Sequence, residues 1–445
     1  MGNRENKKRY IAGLLIIIFV NASAGLLILS PYIPNYIGQI ADDIFLNGID
    51  ARINATRMGP IKLTIKKSDG TPLSSTKVEF NQTRHEFLFG CHLFSFDKTS
   101  NISGCPEADE LYKKYFKNLF NFAILPFYWR AYEPMEGTYP TETWLDTAIA
   151  WCESNNITTK GHPLSWRNPA GYPTWLPDND TLVKQKLESR IEYVVNKYKD
   201  KIQIWDVVNE PTHLPPFGYP SVANYVNTCF SIVDEIDTDV YLTLNEYGII
   251  GHDFGFGPFY NLVTNLLQNN APIDYIGLQG REPRTDWIPA TEIWASLEAY
   301  SQLGLPIHVT ELTWPSYPIP ITNSWMKGLW NEERQAEYAV RYYKTCFSHP
   351  NVEGIVWWGL WDGVGWVQNG NLIDDNFEPK EVYTRLNNLI NHEWHTEGEI
   401  TTNDNGEIEF SGFYGIYDIN IPTYGFNFEI DAKKGQTNEF SIIII

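Results

Sequence analysis

Between residues 87 and 396 the spacing of apolar positions switches repeatedly between two periods. Short β-rich runs alternate with longer stretches whose apolar residues recur at helical spacing. Strands are predicted at Phe87–Phe94, Asn121–Pro126, Thr158–Trp166, Ile202–Glu210, Val240–Tyr247, Ile273–Gln279, Pro306–Leu312 and Gly354–Asp362. The helices that follow them in turn are predicted at Ala108–Asn118, Thr141–Asn155, Leu182–Lys199, Val222–Ile236, Phe259–Asn269, Glu292–Leu303, Glu332–Phe347 and Lys380–Glu393. Eight strand–helix units over roughly 300 residues predict an α/β fold, a (β/α)8 TIM barrel. A doubly wound sheet would ordinarily carry a glycine-rich phosphate loop after its first strand, and Phe89-Gly90-Cys91-His92 supplies none.

The flanks read as small β segments. Ile61, Leu63 and Ile65 alternate with polar residues, Ser68-Asp69-Gly70 is a hairpin signal, and Val78 and Phe80 resume the alternation. Towards the other end, Asp404–Gly406 is a turn and Ile408, Phe410, Phe413 and Tyr417 punctuate strand-like runs. The final Ser441–Ile445 is a strand, too short to cross a membrane. The expected organisation is a cytoplasmic stub with membrane anchor or signal peptide over 1–34, an N-terminal β module over 35–86, a catalytic barrel over 87–396 and a C-terminal β segment over 397–445. The two β segments are expected to pack together.

The first 34 residues change the picture of where the protein works. Arg4, Lys7, Lys8 and Arg9 precede an apolar run, Tyr10–Leu29, long enough at about 20 residues to span a bilayer with the basic flank in the cytoplasm. The alternative is a cleaved signal peptide with Ala22-Ser23-Ala24 as its processing site. Continuation of the run through Leu26–Leu29 favours the anchor. Either way the body is expected outside the membrane, as sequons at Asn54, Asn81, Asn101, Asn156 and Asn179 also suit.

Composition narrows the partners. A net charge of −20 repels phosphate backbones and argues against nucleic acid. Aromatic residues make up 15% of the chain, a surplus that suits stacking on sugar rings as well as a large core. The 5 cysteines are scattered, without a C-x-x-C or zinc spacing; Cys91 and Cys105 could pair near one barrel end, which the sequence does not show, and the odd count leaves at least one thiol unpaired within the chain. No metal or cofactor is expected, and oligomeric state is not legible.

A barrel places its chemistry at the C-terminal ends of its strands. Those ends carry Gly161-His162-Pro163-Leu164-Ser165-Trp166, Asn209-Glu210, Asn245-Glu246-Tyr247, Gln279 with Arg281 beyond it, and His308-Val309-Thr310-Glu311. Trp357, Trp358, Trp361 and Trp366 follow on the eighth. Glu210 on strand four and Glu311 on strand seven lie across the barrel mouth. Paired carboxylates around a sugar are what glycoside hydrolysis needs, one protonated to assist the leaving oxygen and one ionised to attack C1 or activate water.

Trp205-Asp206-Val207-Val208-Asn209-Glu210 resembles the acid/base signature of glycoside hydrolase family 10, the retaining endo-β-1,4-xylanases. His308-Val309-Thr310-Glu311-Leu312 is similar to that family's nucleophile strand, and Gly161-His162-x-Leu164-x-Trp166 to its third-strand motif. The likeness covers roughly Phe87 to Trp394, with the motifs in family order. It implies Glu210 as general acid/base, Glu311 as nucleophile, and Asn209 as partner of the sugar 2-OH. His162 and Trp166 would line the sugar site, and Gln279 would orient the nucleophile. Trp358 and Trp366 would stack on sugars, and Tyr247 would sit on the leaving-group side. Trp129 and Trp361 fit the core equally well.

Two departures loosen the substrate. The family's Glu-Asn-x-x-Lys in the second-strand segment is matched here by Ile124-Leu125-Pro126-Phe127-Tyr128. Its histidine two residues beyond the strand-six glutamine is replaced by Arg281, a cation beside Glu311. The expected partner is a polysaccharide, xylan first. Another β-glycan is the alternative substrate, and a non-catalytic surface carbohydrate-binding protein is the alternative function.

Overall fold

The computed structural model of the protein describes residues 35–214 and 216–444. Its centre is a closed barrel of parallel strands: β1 Leu88–His92, β2 Phe122–Pro126, β3 Thr158–His162, β4 Ile204–Asn209, β5 Tyr241–Glu246, β6 Tyr275–Gln279, β7 Ile307–Leu312 and β8 Val352–Trp357. Each strand pairs with its sequence neighbour, β8 pairs with β1, and β3 meets β4 at Lys160–Ile204 and Gly161–Trp205 to close the ring. The short strand Ser165–Trp166 extends the edge of β4 at the mouth.

The predicted helices surround this ring, with boundaries shifted by a residue or two. Strand eight differs more: it ends at Trp357, not Asp362, because Gly359 turns away at φ +126. Phe122, Ile124, Ile204 and Val356 fill the barrel interior, while a much larger apolar layer lies between strands and helices. Trp205 belongs to the outer layer, and its ring lies where a side chain on Gly161 would have to be, 2.0 Å from an ideal Cβ. Only glycine lets β3 and β4 approach there. Trp129 and Trp361 are buried and belong to this core.

The flanks depart from expectation over 35–57. That span is helical, Asn35–Asn47 and Ile49–Arg57, packed against barrel helices Ala290–Ser301 and Glu332–Ser348. Ile49 and Ile53, one turn apart, bury in the barrel's outer core, and Arg57 donates to the carbonyls of Phe347, His349 and Val352 at 2.7, 2.7 and 2.6 Å. The β structure begins at Met58. Strand Met58–Lys67 runs between Glu407–Phe413 and Glu439–Ile444. A second sheet takes the order Glu397–Thr401, Lys77–His85, Gly415–Ile421, Phe426–Ala432. Asp69-Gly70 makes its turn, but its two strands enter different sheets and do not form a hairpin. The sheets share a core that includes Ile61, Leu63, Val78, Tyr417 and Ile419.

All five cysteines are free, so the Cys91–Cys105 pairing does not form; Cys91 is buried within β1 and Cys105 lies in the following loop. The five sequon asparagines are exposed. No described helix is long and apolar enough to cross a membrane, and the segment read as anchor or signal peptide lies outside the described residues. Below the barrel floor, against the β sheets, lies a cavity of about 680 Å³ lined by Arg57, Arg84, Glu86, Tyr275, Glu353 and Asp431 among others.

Candidate active site

The mouth of the barrel is built on β4 and β7. Along β4, Ile204 and Asp206 face the interior while Trp205 and Val207 face the helices. A register shift between Asp206 and Val208 then breaks the alternation, and the chain reaches Glu210 at φ +53. On β7 a shift falls between Val309 and Leu312, and Glu311 sits at φ +58. Both glutamates therefore occupy the left-handed region, which costs a non-glycine residue roughly 1–3 kcal/mol. Strand register and side-chain hydrogen bonds hold both in place.

Their surroundings differ. Glu210 Oε2 accepts from Trp166 Nε1 at 2.8 Å and Oε1 from Gln279 Nε2 at 3.0 Å. Burial raises the Glu210 pKa, the charge of Glu311 raises it further, and the two neutral donors only partly offset this. Glu311 Oε2 faces Arg281 Nη2 at 3.0 Å, and its Oε1 accepts from Asn245 Nδ2 at 3.0 Å. Asn245 Nδ2 also donates to Asn209 Oδ1 at 2.8 Å, and Asn245 Oδ1 accepts from Thr310 Oγ1 at 2.7 Å. The mouth thus offers one carboxyl biased by burial towards its acid form and a second that is ion-paired.

The resemblance implied that Gln279 would orient Glu311. It contacts Glu210 instead, and Asn245 with Arg281 hold Glu311. Asn209 faces Asn245 beside the pair. His162 Nδ1 contacts Asp206 Oδ2 at 2.7 Å and its Nε2 contacts the Tyr128 hydroxyl at 3.2 Å. Asp206 is in turn 2.6 Å from Lys160 Nζ, deep in the barrel. Burial acts to raise the Asp206 pKa, but Lys160 and His162 outweigh it and hold the carboxyl below its ordinary value.

Trp358 is buried edge-on to His162, whereas Trp366 is 63% exposed. The Arg281 guanidinium lies 5.9 Å from the Trp358 ring and 5.7 Å from that of Trp366, so these three side chains cluster over Glu311. Tyr128 faces Phe94 and Trp166, and Phe94 faces Trp358. The second-strand segment that lacks the family's polar residues therefore contributes to an aromatic wall. On the opposite side Tyr247 stacks on His213 with ring centroids 3.8 Å apart.

A model of the glycosyl hydrolase family 10 domain matches residues 95–389. The chain belongs to glycosyl hydrolase family 10. It is 28% identical over 402 residues to the anti-sigma-I factor RsgI6 of Acetivibrio thermocellus, covering 88% of this chain and 49% of that one. It is 29% identical over 407 residues to endo-1,4-beta-xylanase 2 of Arabidopsis thaliana, covering 88% of this chain and 35% of that one. The chain thus spans about half or less of the length of these curated relatives. Among solved structures, xylanase 10B from Thermotoga petrophila RKU-1 in complex with xylobiose superposes with a TM-score of 0.57 at 25% identity, covering 69% of this chain and 95% of that one.

All ten candidate residues lie inside the family 10 match, which begins beyond β1 and excludes the terminal sheets. Lys160 and His213 escaped the sequence reading, and Asn245, Glu246, Asp206 and Tyr128 entered it only within longer stretches, without a role of their own. The signal for Asn245 and Glu246 was present as two consecutive polar residues at a strand end. Nothing in the alternation tells which of two consecutive residues turns inward once a bulge intervenes.

Proposed function

We propose that the protein is a retaining glycoside hydrolase that cleaves β-1,4-linked polysaccharide, xylan first, by double displacement. Glu311 attacks C1 while Glu210 gives its proton to the glycosidic oxygen and the C1–O bond breaks. Glu210 then takes a proton from water, whose oxygen displaces Glu311 from C1. The observation that carries this reading is the unequal treatment of two buried carboxyls: Glu210 between neutral donors, Glu311 against Arg281. The reading requires the two carboxyls to act about 5–5.5 Å apart. His162, Trp166, Asn209, Trp358 and Trp366 bind the sugar on the glycone side, Arg281 and Gln279 hold the two glutamates, and Tyr247 lies on the leaving-group side. Residues 87–396 form the catalytic unit, acting outside the cell and held to it through 1–34 if that segment is retained.

A different β-glycan is the second reading. It is favoured by the aromatic wall of Phe94, Tyr128 and Trp166, which offers faces where polar grips would select a xylose unit. Incubating the ectodomain with a panel of β-glycans, reading new reducing ends and following the anomer of the first product by proton NMR, tests both. Release of the β-anomer first from xylan supports the main reading, and release from another glycan alone supports the second. An α-anomer first rejects the double displacement. Binding to glycans without any new reducing ends leaves a carbohydrate-binding protein.

A further inference from the structure

The loop leaving Glu210 is fastened to the end of β5. Glu246 is fully buried there, and its carboxylate accepts from Thr212 N at 2.9 Å, Thr212 Oγ1 at 2.6 Å and Tyr247 N at 2.9 Å. A fourth contact joins Glu246 Oε1 to His213 Nδ1 at 2.9 Å. One carboxylate thus sets the position of three consecutive features of the mouth: the turn after Glu210, the imidazole of His213 and the backbone of Tyr247. The result is a ring stack with 20° between planes.

The imidazole is only partly covered, its side chain 38% exposed, and Nδ1 is committed to Glu246. Its other nitrogen, Nε2, has no hydrogen-bond partner among the described residues. A histidine so placed leaves that nitrogen open to solvent or to a ligand. This one lies three residues beyond Glu210, within reach of that residue's charge, and it backs the ring read as the leaving-group-side aromatic.

We propose that His213 is a substrate-binding residue of the leaving-group side: the His213–Tyr247 stack presents a rigid flat surface to a pyranose ring, and His213 Nε2 bonds a hydroxyl of that sugar. The inference rests on the assignment of Glu210 and Glu311 above. The groups facing the imidazole are Glu246 at the end of β5, Tyr247 just beyond it and Glu210 just beyond β4, with the Thr212 hydroxyl 3.4 Å from Nδ1. The Glu246 hydrogen bond raises the His213 pKa, partial burial opposes it, and the charges of Glu246 and Glu210 add to the rise. A protonated ring turns the Nε2 contact into a charge-assisted hydrogen bond, about twice as strong as a neutral one. Grip on the leaving group therefore tightens on the acid side.

The test uses the full chain carrying Glu311→Gln, so that ligand is not consumed, titrated calorimetrically with a β-1,4-xylo-oligosaccharide at about pH 5 and about pH 8, either side of the ordinary histidine range. Affinity is expected to fall about fivefold from the lower to the higher pH. Adding His213→Phe keeps a ring on Tyr247 and is expected to flatten that dependence, while His213→Ala weakens binding at both values. A pH dependence unchanged in His213→Phe, or unchanged affinity in His213→Ala, overturns the proposal. Full hydrolytic activity in Glu311→Gln would instead overturn the nucleophile assignment, and with it the proposal that rests on it. No binding by the parent at either pH rejects the proposal together with the xylan reading.

Discussion

The two ends of the barrel are made of opposite materials. At the mouth, ionisable groups are buried in small closed sets: Glu210 with Trp166 and Gln279, Glu311 with Arg281 and Asn245, Asp206 with Lys160 and His162. At the floor lies a cavity of about 680 Å³, but its charged side chains tie chain segments together. Arg57 spends its guanidinium on three carbonyls, Arg84 Nη2 donates to the Thr158 hydroxyl, and Glu86 accepts from the Lys434 backbone. What marks the mouth is a pair of carboxyls on different strands, each in a strained backbone and each given a different electrostatic partner.

The sharpest way to break this contrast is Glu311→Gln, which removes the charge and keeps the shape. If the mouth alone carries chemistry, hydrolysis of polysaccharide falls roughly 10⁴-fold or more while thermal unfolding shows a folded protein. Retained turnover would erase the distinction between the two ends.

Asp206→Asn tests whether the sets beneath the mouth are structural. It strands the fully buried Lys160 ammonium without a counter-ion, at a cost of roughly 3–5 kcal/mol read from denaturant unfolding. The sign with pH follows from the lowered Asp206 pKa. The carboxylate stabilises the fold above the unfolded value near about 4 and loses that contribution as pH falls through the folded one. The wild type is therefore expected to lose stability on acidification more steeply than Asp206→Asn.

Arg57→Ala is the matching experiment on the floor. Three carbonyls lose their donor, for roughly 2–4 kcal/mol of stability, with turnover per folded molecule unchanged. A large loss of turnover would mean that the floor reaches the site. The smallest effect is expected from Gln279→Ala. The Gln279 hydrogen bond lowers the Glu210 pKa, so its removal moves the alkaline limb of kcat/KM to higher pH. No movement, or a shift to lower pH, would detach Gln279 from the acid.

The barrel was legible because strand and helix periods alternate cleanly and because β-branched and aromatic residues mark each strand. The motif residues were legible for the same reason: they end those strands. The pairing of donors with carboxyls was not. Register shifts beside Asp206 and Val309, and left-handed backbone at Glu210 and Glu311, break the period of two where it matters. Gln279 consequently turns to Glu210, and Asn245 takes the place beside Glu311. The helices over 35–57 were hidden by polar residues such as Asp42, which faces the barrel and accepts from Thr291 N and Trp325 Nε1. An inward carboxylate masks the apolar stripe by which an amphipathic helix is recognised.

The strand Met58–Lys67 has a consequence for synthesis. Both its sheet neighbours, Glu407–Phe413 and Glu439–Ile444, come from about 340 residues or more downstream. At a ribosomal rate of about 5–20 residues per second, its edges stay open for roughly 20–70 s after the strand is made. For that interval the nascent chain displays Ile61, Leu63 and Ile65 on a template for pairing with any other extended strand. Lys62, Lys66 and Lys67, which alternate with or end that apolar row, keep like copies apart by charge until the downstream strands arrive.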